Sequence, residues 1–233
     1  MRDNASSYVT VALLDLLTPT ATSATSSATI RGELEGAYTP QRRINESVLP
    51  TSSNPQIQLV LANQGNTPKQ SQTVTDQLAQ MTKGDHPLVA VIGLGVSTAQ
   101  TRQRAEKLSE YGIPMVSAII TADGLDHTQI PGLIRVSPSN QDYVKALLRY
   151  VNTRNNLQSG VVVYDTNSDS GADLFTKTLK DDLEQQMQHL IQQRTTLPFV
   201  GASIPTDADP GRFDIVTPNI CSVKRTSCST RAD

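Results

Sequence analysis

The sequence predicts an α/β fold in which parallel strands are flanked by helices. Six short runs carry that expectation: YVTVALLDLL from Tyr8, IQLVLAN from Ile57, LVAVIGLG from Leu88, IPMVSAII from Ile113, LIRVSP from Leu133 and GVVVYD from Gly160. They are mostly continuous apolar stretches, as strands covered on both faces are. Segments of helical period lie between them. Alternating strands and helices make βαβ units, whose right-handed crossovers stack helices on both faces of a parallel sheet.

The first helix is expected from about Ile30 to Asn45, with a kink at Pro40, whose ring displaces the carbonyl of Gly36. Three apolar stripes mark later helices: Val74, Leu78 and Met81; Tyr143, Leu147 and Val151; and Phe175, Leu179, Leu183, Met187 and Leu190. Two stretches read as loops. TPTATSATSSAT, from Thr18, is too poor in apolar residues to join a core, and PFVGASIPTDADPGRFD, from Pro198, is rich in proline and glycine. There is no internal repeat.

Composition narrows the function. The 233 residues are 37% hydrophobic, and 20 basic against 22 acidic side chains leave a net charge of −2. A nucleic-acid partner is not expected, because a phosphate backbone rewards a basic surface. No segment reaches the roughly 20 apolar residues of a membrane span, and the start lacks the pattern of a signal peptide. Cys221 and Cys228 could close one small loop, but they form no disulfide framework and no zinc site. Neither cofactor nor metal is implied.

Three phrases could carry chemistry. GLGVSTAQT ends the third strand and opens a helix at about Ser97 or Thr98. Free amides at a helix N-terminus, joined by two hydroxyls, suit a carboxylate or another anion, although a helix cap without ligand is the commoner role of such residues. The phrase is not a dinucleotide fingerprint, since Thr98 stands where a third glycine belongs. SAIITADGL sets Ser117 and Thr121 at the carboxyl end of the fourth strand, where parallel sheets deliver ligand contacts, with Asp123 and Gly124 making a turn. DTNSDSG, from Asp165, departs from a calcium loop at Ser170 and Thr176 and reads as a polar loop capping a helix from Gly171.

Support for catalysis is slight. His86, His127 and His189 stand in no motif with a nucleophile. An enzyme would need Asp15, Asp123 and Asp165 to gather as a carboxylate site, and turn roles are commoner for strand-ending aspartates. The residues favour a binding module over an enzyme.

In order, LEGAYTPQRRINE, IQLVLAN, VAVIGLGVST, EYGIPMVSAIITADGL, LIRVSPSN and GVVVYDTNSDSGADLF resemble the type I periplasmic-binding family, especially its receptors for branched-chain and related amino acids. The resemblance runs from about Tyr8 to Leu190. It implies two lobes that clamp a small molecule by hinge closure, with an N-terminal lobe at 1–138 and part of a second lobe at 139–224. In such receptors the ligand carboxylate meets the phrase matching GVST and its ammonium the phrase matching SAIIT, which carries over Ser97, Thr98, Ser117 and Thr121. Asp169, with Ser170, stands where the family often presents an aromatic residue, and Ile119 and Ile120 stand where smaller residues are usual. Both departures bear on the identity of the ligand.

The resemblance further implies an extracytoplasmic substrate-binding component of an ABC-type transporter, with transporter subunits as partners, or alternatively the ligand-sensing domain of a regulatory or receptor protein. Family members continue beyond the last residues here. Residues 225–233 read as an out-of-frame tail: one G restored after the Lys224 codon, in one choice of codons, gives the apolar strand Ala-Asp-Val-Val-Leu-Tyr-Ala-Gly-Arg. A non-functional truncated product that binds poorly is a further alternative.

Overall fold

The computed structural model describes residues 8–19, 26–47, 55–153, 159–165, 172–187 and 193–199. Two compact units are present, Met1–Pro138 and Ser139–Asp233. Asp169, Ser170, His189, Cys221, Cys228 and the 225–233 tail lie outside the described residues.

The first unit is built on five parallel strands: β1 (Tyr8–Asp15), β2 (Gln56–Asn63), β3 (Leu88–Gly93), β4 (Met115–Ser117) and β5 (Leu133–Arg135), in the spatial order β2-β1-β3-β4-β5. Three helices connect them: α1 (Ser27–Ser47), α2 (Pro68–Gln80) and α3 (Ala99–Glu110). Right-handed crossovers put α1 on one face and α2 and α3 on the other, because the chain steps outward from β1 to β2 and then back across to β3 and β4. This order reverses direction between β1 and β3. A crevice opens at the carboxyl ends of strands at such a switch point.

The core follows from the strand pattern. Ala12, Leu13 and Leu14 of β1 and Val91 of β3 are at most 2% exposed, since central strands are covered on both faces. Edge strand β2 is managed differently: on α1, Gln41 and Asn45 donate to the carbonyl of Ile57, and Asn45 accepts its amide. Those side chains occupy backbone groups that an edge otherwise leaves open. α1 continues through Pro40 to Ser47, beyond the expected end at Asn45. Thr67 and Gln70 form a capping box on α2, with Pro68 at its first position.

Two further expectations need correction in this unit. The fourth strand is only Met115–Ser117, because the chain bends at Ala118 and Ile119. On α2 the buried residues are Ser71, Thr75, Leu78 and Ala79, so the covered face is rotated away from Val74. Small residues let α2 and α3 approach, and buried Arg104 of α3 donates to the Ser71 hydroxyl at 2.9 Å.

The second unit contains α4 (Asn140–Asn152), β6 (Ser159–Asp165), α5 (Leu174–Met187) and β7 (Gln193–Phe199), with β6 and β7 paired in parallel. Val144 and Leu148 are buried against Val162, Leu179 and Leu183. Tyr143 and Leu147 are instead exposed, which corrects the stripe expected to face inward. The two candidate stripes on α4 lie one residue apart, and the deciding partner is α5. Asn140 is buried and donates to the Phe175 carbonyl and the Thr178 hydroxyl, each at 2.8 Å, fastening α4 to α5. α5 starts later than expected: Asp173 caps it by accepting from the Thr176 amide and hydroxyl. β7 is a strand that the sequence pattern does not predict. QRTTLPF lacks an apolar run, and Pro198 lies inside it.

Candidate functional site

The turn after β3 is set by backbone geometry. Gly93 has φ +94°, and a Cβ there would stand 2.9 Å from the Leu14 carbonyl oxygen, so only glycine lets β3 pass this close to β1. Leu94 follows at φ 76°, a region that bulky residues rarely adopt. The strain is contained by its surroundings. Leu94 is fully buried, its amide donates to the Leu14 carbonyl at 2.7 Å, and its own carbonyl accepts Arg104 Nη2 at 2.9 Å. Strained backbone of this kind tends to gather at ligand sites, where surrounding structure holds it.

Beyond that turn, Thr98 is the N-cap of α3, and its hydroxyl accepts the Thr101 amide at 3.1 Å. Ser97 is only 3% exposed, and its Oγ accepts two amides, from Thr121 at 3.0 Å and Ala122 at 3.2 Å. The two phrases singled out in the sequence are therefore joined by direct hydrogen bonds. Ser117 is fully buried, and its hydroxyl accepts the Ile120 amide at 3.3 Å. Thr98 and Thr121 are partly exposed, and the first amides of α3 open beside Thr98.

Sequence reading missed two arginines. Arg135 of β5 donates to the carbonyls of Thr121 and Ala122, at 3.5 and 3.0 Å, and so holds the strand-β4 turn from the other side. Arg104, 5% exposed, donates to Ser71, Leu94 and Thr101. Burial lowers its pKa to about 10, and the charge of Asp15 opposes that shift. Neither arginine belongs to a local motif.

Asp15 is buried beneath the β3 turn, Asp123 is in the turn after β4, and Asp165 ends β6 in the second unit. Among the described residues no group of three or more His, Cys, Asp or Glu could hold a metal ion. No described helix is long and apolar enough to cross a membrane. A groove of about 480 Å³ between α2 and α3 is lined by Ser71, Thr75, Gln103 and Arg104 among others, away from Ser97 and Thr121. It lies in the outer helix layer, whereas parallel sheets present ligand groups at strand ends.

Residues 43–205 match the family described as receptor family ligand binding region. The chain belongs to that family. Its structure is similar to a leucine-binding protein from Thermotoga maritima, with a TM-score of 0.64 and 18% identity over 92% of this chain and 53% of that one. It is equally similar to the branched-chain amino acid transporter substrate-binding protein of Streptococcus pneumoniae solved with isoleucine, at 0.64 and 18%, covering 91% of this chain and 54% of that one. A Desulfitobacterium hafniense ABC transporter substrate-binding protein in complex with Leu gives 0.59 and 18%, with 92% and 55% covered. No curated protein matches the sequence. The chain spans about half the length of these structures. They show the type I periplasmic-binding fold class, with its parallel sheet flanked by helices.

Proposed function

We propose that this chain binds a small polar ligand, an amino acid or a molecule like one, as the substrate-binding component of an ABC-type transporter acting outside the cytoplasm. The observation that carries the reading is the Ser97 hydroxyl holding the Thr121 and Ala122 amides. It gathers the carboxyl ends of β3 and β4 into one polar rim, with the α3 N-terminus on one side and Thr121 on the other.

In this reading Thr98, Thr121 and the first α3 amides meet the ligand. Amides at a helix N-terminus favour a carboxylate through the helix dipole. Ser97 and Ser117 hold the rim in shape, and residues 1–138 act as the N-terminal lobe, with 139–224 as part of a second. Asp169 is a further ligand contact in the same reading. Neighbouring structures named for leucine and isoleucine support an amino acid as the first class to test. The family's description as a receptor region supports sensing as a second reading.

Calorimetry of the chain against a panel of free amino acids tests the proposal. Binding of at least one, weakened tenfold or more by Thr98→Ala with Thr121→Ala, is the expected result. A folded chain that is silent across the panel would remove the amino-acid reading, and binding unchanged in the double variant would move the site elsewhere.

A further inference from the structure

Beneath the Gly93–Thr98 turn, buried carboxyl oxygens lack donors among the described residues. Asp15, at the carboxyl end of β1, is fully buried; its Oδ1 accepts the Leu16 amide at 2.6 Å, while its Oδ2 has no donor. Glu33 reaches from α1 into hydrogen-bonding contact with the Asp15 carboxyl, and its own buried Oε2 also lacks a donor. Two ionised carboxylates cannot satisfy each other, because neither has a hydrogen to give. One proton between them satisfies both oxygens and leaves a single negative charge to bury.

Arg104 supplies the matching positive charge. A Cβ on Gly95 would stand 3.3 Å from Asp15 Oδ1, 3.3 Å from Gln64 Nε2 and 3.7 Å from Arg104 Nη2, so these three side chains converge on one point under the turn. The same Nη2 donates to the Leu94 carbonyl and to Thr101, which in turn bonds the Val96 carbonyl and Thr98. The chain of contacts runs from the carboxyl pair to the backbone that presents Ser97 and Thr98.

We propose that Glu33 keeps its carboxyl proton at neutral pH and donates it to the Asp15 carboxyl, so that Glu33, Asp15 and Arg104 form a clamp under the Gly93–Thr98 turn that loosens when the proton is lost. Burial, the hydrogen bond to Asp15 and the charge of Asp15 push Glu33 up to about 8. Among the described residues, Asp15 is the charge that acts on Glu33. β2, packed against α1, has no titratable side chain. On α1 itself, Arg31 and Glu35 pair with each other in solvent. A metal ion is the competing occupant, since the buried Gln64 Oε1 also lacks a partner. Arg104 disfavours it, because the guanidinium already provides the cation beside Asp15.

The clamp does not depend on what the turn binds, so its test uses the 233-residue chain without ligand. Glu33 is held above its ordinary 4.5, so its contribution to stability is complete below that value, falls as pH rises to about 8, and is flat beyond. The melting temperature of the wild type is therefore expected to fall relative to Glu33→Gln across that window. Infrared spectra near neutral pH should show the carbonyl stretch of a protonated carboxylic acid, absent in Glu33→Gln and lost from the wild type at about pH 9. Asp15→Asn, whose amide can donate to Glu33, should remove the same band at neutral pH. No such band in the folded wild type would overturn the proposal. A sodium, magnesium or calcium salt that raises the wild-type melt at neutral pH, but not that of Glu33→Gln, would replace the proton with a metal ion.

Discussion

The Ser97 hydroxyl accepts the backbone amide of Thr121 at 3.0 Å, linking two residues 24 positions apart in the chain. With Ala122 as a second donor, Ser97 closes the gap between the turns that follow β3 and β4. Ser97→Ala is expected to leave both amides without that acceptor, at a cost of about 1–3 kcal/mol for a buried group left unpaired. Chemical denaturation measures it. A loss under a few tenths of a kcal/mol would show that the hydroxyl does not hold the rim.

Thr98 serves the helix before it serves any ligand. Thr98→Ala removes the α3 N-cap and is expected to destabilise the first unit by about 1 kcal/mol, whereas Thr98→Ser should be nearly neutral. Equal stability of the alanine and serine variants would show that the cap contributes nothing.

Arg104 is the cation of a buried set. Arg104→Ala should cost about 3–5 kcal/mol, because Asp15 keeps its buried position without a compensating charge. Adding Asp15→Asn should recover part of that loss. A double-mutant cycle with strictly additive losses would deny the coupling between them.

On α4, the choice of buried face is open to a paired test. Leu148→Ala should cost about 2–4 kcal/mol by opening a cavity against Leu179 and Leu183. Leu147→Ala, at a site 46% exposed, should stay under about 1 kcal/mol. The reverse order would restore the stripe read from the sequence.

The strands were legible because burial on both faces forces apolar runs, and Leu13 and Val91 are at most 2% exposed as that rule requires. β7 was not legible, since QRTTLPF has no apolar run and is defined by its pairing with β6. On α4, Tyr143, Leu147 and Val151 have helical spacing, but so do Val144 and Leu148. Periodicity reports that a helix has an apolar side without saying which of two adjacent stripes a neighbour covers.

By itself the sequence determined the parallel α/β class, the order of most of its elements and the glycine-bearing turn before α3, because burial and φ preference act on local runs of residues. The tertiary structure alone decided that Ser97 holds the amides of Thr121 and Ala122, that Arg135 and Arg104 brace the two turns, and that Glu33 meets Asp15. Those pairings join residues from different crossovers. Hydrogen bonds and charges act only at short range, so their partners are fixed when the sheet order brings distant segments together, and no spacing along the chain encodes them.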